Sequence, residues 1–163
     1  STKEASPMKQ TDGFTLMELM VTVAIVAIVS TIAVAGYSHL IEKTRLSSAA
    51  NDIKGDLELA KLTAVRRHAT ILAYFDDGAG KNGRYTLSVN TKDGEKILTR
   101  AMPERVTLTG VTTPIGFNSL GIASSTGQVE VKTTDASAYK RITVSAAGNI
   151  KLERSTNGTT WED

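Results

Sequence analysis

The chain has 163 residues, of which 40% are hydrophobic and 22% charged, with a formal net charge of +2 and no cysteine. That length suits one ordinary domain with an appendage, the weak charge balance gives no argument for nucleic acid, and the absence of cysteine excludes disulfides and thiolate metal sites. The averages conceal a sharp segregation, because no Asp, Glu, Lys or Arg occurs from Leu19 to Ile41.

Residues 1–13 read as a polar leader ending in Gly13, with Met8 as an alternative start. A helix is predicted from Phe14 to about His68, with no proline to interrupt it. Its first half, 14–41, is apolar all round. The charge-free run would span about 34 Å at ~1.5 Å per residue, against about 30 Å of hydrocarbon core, so it reads as a membrane span or a secretion signal. Glu18 is the only Asp, Glu, Lys or Arg between Gly13 and Ile41. A charge at the centre of a membrane helix costs roughly 2.5–3.5 kcal/mol on insertion scales, which makes Glu18 a functional candidate in need of a partner. Lys3 and Lys9 before the run balance Lys43 and Arg45 after it, so the flanks set no orientation.

The second half of the helix, 42–68, carries one apolar stripe: Leu46, Ala49, Ala50, Ile53, Leu57, Ala60 and Ala64. Gly36 and Gly55 each cost about 1 kcal/mol relative to Ala without breaking the pattern. His68 at the end suits the helix dipole. Beyond it the period changes to two. Strands are predicted at 70–75, 84–89, 96–100, 106–108, 128–132, 141–144 and 149–152, separated by turn clusters at Asp76-Asp77-Gly78, Asn82-Gly83, Asp93-Gly94 and Ala147-Gly148-Asn149. Alternation implies antiparallel sheets with one wet face, hence an α+β fold with a β-rich domain over 69–154. The tail 155–163 is polar apart from Trp161 and is predicted to be loose.

Gly13-Phe14-Thr15-Leu16-Met17-Glu18, followed by a long apolar helix and then a β domain, resembles the prepilin signature of type IV pilins and type II secretion pseudopilins. Asp56–Arg67, Ile115–Gly121 and Arg141–Lys151 are similar to the helix end and closing β elements of H-type pseudopilins and of T- and U-type minor pilins. The resemblance implies a structural subunit, not an enzyme, that needs no cofactor. It implies cleavage between Gly13 and Phe14 by a prepilin peptidase that also N-methylates Phe14. A single-pass inner-membrane helix and a periplasmic β domain would then dock on an assembly platform and on other subunits. Within such a filament Glu18 of one subunit meets the Phe14 amine of another. That pair offsets two buried charges and fixes the register of otherwise slippery apolar helices.

Two alternatives stand beside this reading. Some T-type minor pilins capture DNA, and Lys140, Arg141, Lys151 and Arg154 are the cations here that would form a basic edge, although Gly148 is followed by Asn149 and Lys151 where arginines carry that activity. Ala33-Val34-Ala35 fits a secretory cleavage pattern that would release a binding protein starting at Gly36; Glu18 and the helical pattern continuing past Ala35 oppose it. Gly80-Lys81-Asn82 lacks the first glycine and the Ser or Thr of a phosphate loop, and Asp76-Asp77 lacks the spaced carboxylates of a calcium loop. His39 and His68 carry no zinc motif, so no metal site is expected.

Overall fold

The seven-residue apolar stripe that the sequence places on one helix face is what the protein buries. The computed structural model describes residues 13–78, 82–112 and 114–163, with the backbone alone over 33–36. Helix α1 runs Leu16–Arg67, and among the described residues nine strands follow: β1 (Ile71–Asp76), β2 (Arg84–Val89), β3 (Lys96–Ala101), β4 (Val106–Thr109), β5 (Ile115–Phe117), β6 (Ala123–Ser125), β7 (Gly127–Thr133), β8 (Tyr139–Val144) and β9 (Ile150–Ser155). Residues 1–12 of the leader, and Gly80-Lys81 of the segment compared above with a phosphate loop, lie outside the described residues.

The chain divides between Ser38 and His39 into two units. In the first, the apolar side chains of α1 from Leu16 to Ile32 are exposed on every side. Its hydroxyls bond back into the helix: Thr22 to Leu19 O at 2.8 Å, Ser30 to Val26 O and Thr31 to Ile28 O, both at 2.7 Å. These polar groups therefore need no water, a condition that apolar surroundings impose. No single helix among the described residues is long and apolar enough to cross a membrane; Leu16–Ile32 and Tyr37–Arg67 meet the criteria of length and composition only as a pair.

In the second unit, Leu46, Ala49, Ala50, Ile53, Leu57, Ala60 and Ala64 share one core with Ile71, Phe75, Tyr85, Leu87, Val106, Ile115, Phe117, Val129, Val131 and Ile142. Four alanines in the helix stripe leave room for the strands to come close. One sheet has the order β3-β2-β1-β5-β6 and the other β4-β7-β8-β9. Every ladder is antiparallel, as the alternation of apolar and polar residues predicts. The helix ends in a Schellman motif, with His68 N–H bonded to Val65 O at 3.4 Å and Ala69 N–H to Ala64 O at 3.2 Å. His68 itself takes the left-handed φ of 50° that glycine usually supplies there.

Three details differ from the sequence reading. β6 consists of Ala-Ser-Ser, which no propensity marks as a strand; pairing of Ser125 with Gly116 and of Ala123 with Phe117 makes it one. β8 begins at Tyr139 and β9 extends to Ser155 because those two residues pair with each other. The tail, expected to be loose, is fastened. Asn157 Oδ1 accepts from the N–H groups of Thr159 and Thr160 at 2.9 Å, and Arg154 and Glu162 exchange backbone bonds at 2.8 and 2.9 Å. Trp161 lies under the Arg141 guanidinium, 4.2 Å from carbon to ring centroid. An apolar ring and a strand edge with unpaired backbone groups give this polar tail the partners that its composition conceals.

Candidate assembly site

Helix α1 begins where the chemistry of its first turn dictates. Thr15 is the N-cap: its Oγ1 accepts from the Glu18 N–H at 3.2 Å, and its carbonyl accepts from Leu19 N–H at 3.2 Å. Glu18 therefore stands at the third helical position, the acidic place of a capping box, where the positive end of the helix dipole favours a carboxylate. Its side chain has no hydrogen-bond or ion-pair partner among the described residues, so the charge remains available. Phe14 is 83% exposed, and a Cβ placed on Gly13 would meet nothing within 4 Å. No local packing in the described residues calls for glycine at that position. Gly13, Phe14 and Glu18 thus lie together at one exposed helix end, ahead of the apolar side chains that α1 exposes from Leu16 to Ile32.

The four cations named as a basic edge do not share one. In the β8–β9 ladder Lys140 faces Arg154, Arg141 faces Glu153 and Thr143 faces Lys151. Strand alternation then puts Lys140 and Arg154 on one face of the sheet and Arg141 and Lys151 on the other. Acids neutralise most of them. Arg141 reaches Glu153 at 2.9 Å, Lys151 pairs with Asp163 and with Glu153 at 3.2 Å, and Arg154 lies 3.8 Å from Glu162. Burial alone would raise the Glu153 carboxyl, but hydrogen bonds from Arg141 and Lys151 outweigh it and hold it below its ordinary range. The bond to Asp163, then that to Glu153, shifts Lys151 upward.

Elsewhere, Asp76 closes a turn by accepting from Gly78 N–H at 3.0 Å, and no group of three metal-binding side chains occurs among the described residues. His39 lies 3.7 Å from Asp135. The Asp135 carboxyl is lowered to about 2 by hydrogen bonds, the largest from the Thr133 side chain and the next from the Ser137 hydroxyl.

Polar latches that the sequence reading missed hold the β domain to α1. Asp56, 8% exposed within the apolar stripe, accepts from the Tyr85 hydroxyl at 2.5 Å and from Arg100 Nε at 2.9 Å. Burial first, then the bond to Asp56, raises the Tyr85 phenol far above its ordinary value. Nearer the start of this unit, buried Glu42 pairs with Arg105, and toward the end of the helix Lys61 Nζ donates to Gly148 O at 2.9 Å. A carboxylate inside a helical apolar stripe is the one linear sign of such a latch; its partners are 29 and 44 residues away.

This arrangement has known counterparts. The family model described as Type II transport protein GspH matches residues 49–148, and that of the prokaryotic N-terminal methylation motif matches residues 8–34. No curated protein matches in sequence. Among solved structures, the type IV minor pilin FimU of Pseudomonas aeruginosa is similar with a TM-score of 0.56 at 17% identity, over 69% of this chain and 90% of that one. The minor pseudopilin EpsH from the type 2 secretion system of Vibrio cholerae gives a TM-score of 0.53 at 16% identity, over 66% and 95%. At such identities the likeness is one of fold.

Proposed function

The chain belongs to the GspH family and is a structural subunit of the pilus or pseudopilus kind, and from that premise we propose that it is a minor pseudopilin or minor pilin matured by cleavage between Gly13 and Phe14. A prepilin peptidase removes the leader and N-methylates Phe14, leaving a cationic amine at the head of α1. The apolar first half of the helix anchors the protein in the inner membrane as a single pass, with the β domain in the periplasm. Assembly with other subunits on an inner-membrane platform brings Glu18 to a neighbour's Phe14 amine. The role is mechanical: helix packing carries the subunit in the filament while the β domain meets its partners.

The observation that carries this reading is the Glu18 carboxylate, unpartnered among the described residues, at the first turn of a helix whose apolar side chains from Leu16 to Ile32 are exposed all round. In an apolar assembly such a charge persists only with a counter-charge, and Glu18 and an amine at Phe14 supply opposite ones. Replacing Glu18 by Ala or Gln should leave membrane insertion intact, because an expensive charge is removed. Recovery with sheared filaments, or by crosslinking to partner subunits, should fall at least tenfold. Co-assembly at the wild-type level would refute the pairing, and a mature amino terminus other than Phe14 in mass spectrometry would refute the processing.

A further inference from the structure

Between the start of the β-domain part of α1 and the far end of the β8–β9 ladder lies an open groove of about 470 Å³. Lys43, Lys140 and Arg154 line it against a single carboxylate, Glu162, while Leu46 and Ala138 supply an apolar flank. Lys140 and Arg154 sit directly opposite each other in the ladder, which brings their Cβ atoms to roughly 5 Å. Lys43 approaches from the helix. Neither Lys43 nor Lys140 has an ion-pair partner among the described residues, and the Arg154–Glu162 pair is long at 3.8 Å, between side chains that are 69% and 71% exposed. Surface pairs of that kind contribute about 0–1 kcal/mol, so Arg154 is easily recruited by another anion.

Excess positive charge gathered around a concave site, with hydroxyls of Ser47 and Thr160 in the wall, fits a compact oxyanion. The apolar flank fits whatever carbon skeleton the anion is esterified to. Lys43 is also the first cation after the charge-free run Leu19–Ile41. We infer that this groove binds the phosphate of a phosphate ester, and that the ester at hand is the headgroup of an anionic phospholipid. The phosphate chemistry stands on the groove alone; the lipid source rests on the membrane-anchored reading above. Bound there, a lipid would steady the β domain at the membrane surface before the subunit enters a filament.

Trp161 is the sole tryptophan, and although its ring stacks on Arg141 on the opposite face of the sheet, it stands in the tail between Thr160 and Glu162, both in the groove wall, so its emission reports any change that binding transmits through this segment. The full chain in a non-ionic detergent is titrated with inorganic phosphate and, separately, with dihexanoyl phosphatidylglycerol. Saturable change with phosphatidylglycerol is expected, weakened at least tenfold in K140Q/R154Q and tightened in Glu162→Gln, where the competing carboxylate is gone. Lys132→Gln, a change on the opposite face of the same sheet, should leave binding as it was. Saturation by phosphatidylglycerol alone supports a lipid source; equal saturation by inorganic phosphate supports the phosphate site and overturns the lipid assignment. No saturation with either, or K140Q/R154Q binding like wild type, overturns the site. The unliganded emission and melting temperature of each variant show whether the tail remains docked.

Discussion

Replacing Asp56 by Ala tests how the β domain is fixed to the helix. The carboxylate accepts from the Tyr85 hydroxyl at 2.5 Å and from Arg100 at 2.9 and 3.4 Å. Without it, Tyr85, only 1% exposed, keeps a buried hydroxyl with no acceptor, a cost of about 1–3 kcal/mol. Arg100 fares better, because its side chain is 42% exposed and keeps Asp52 at 3.4 Å. Its share is closer to that of a surface pair, about 0–1 kcal/mol, than to the roughly 3–5 kcal/mol of a fully buried pair that loses one partner. The sum is about 1–4 kcal/mol, and in a unit of this size about 4 °C per kcal/mol gives a fall in Tm of about 4–16 °C. Thermal unfolding of the full chain followed by circular dichroism measures it. The same substitution in a Tyr85→Phe background isolates the hydroxyl, since the orphaned donor is then absent, and its cost should shrink by about 1–2 kcal/mol. An equal cost in both backgrounds, or a fall in Tm below about 2 °C, would refute the reasoning.

Two glycines should respond in opposite directions. Gly55→Ala puts a methyl into open space in mid-helix and should raise stability by about 1 kcal/mol, whereas Gly148→Ala should lose about 2 kcal/mol or more. Gly148 has φ 78°, and a Cβ there would press into the Gly121 carbonyl oxygen; denaturant unfolding of both variants decides. Acid titration provides another check. Asp135 has its folded value depressed, so its contribution is present above the unfolded carboxyl value near 3.8 and is lost as pH falls through about 2. Ser137→Ala removes the hydroxyl bonded at 2.8 Å and should move the Asp135 midpoint up toward the ordinary range in a carboxyl NMR titration; an unmoved midpoint would show that the hydroxyl does not hold it.

Much of this architecture is written locally. The charge-free run, the three- and four-residue spacing from Leu46 to Ala64 and the alternation in β1, β2 and β7 are periodicities that a helix or strand must satisfy wherever it packs. They place α1 to within two residues of its predicted ends and give the antiparallel sense of the sheets. The head of the helix was legible for the same reason, because Gly13, Phe14 and Glu18 are neighbours along the chain. Where the reading failed, the cause was distance. β6 is a strand because β5 lies beside it, not because of Ala, Ser and Ser. The tail holds because Trp161 finds Arg141 and Glu162 finds Arg154.

Local spacing distinguishes α1 from the longer strands and marks where a lone carboxylate stands at the head of an apolar helix, because each of these is a pattern among near neighbours. How the remaining charges are used depends on contacts that form only on folding. Ladder register sorts Lys140 and Arg154 from Arg141 and Lys151 onto opposite faces, and it seats Asp56 against Tyr85 and Arg100 across the core. Spacing along a chain fixes the direction in which a side chain points, but whether it meets an acid, a ring or open solvent depends on a partner brought near by folding.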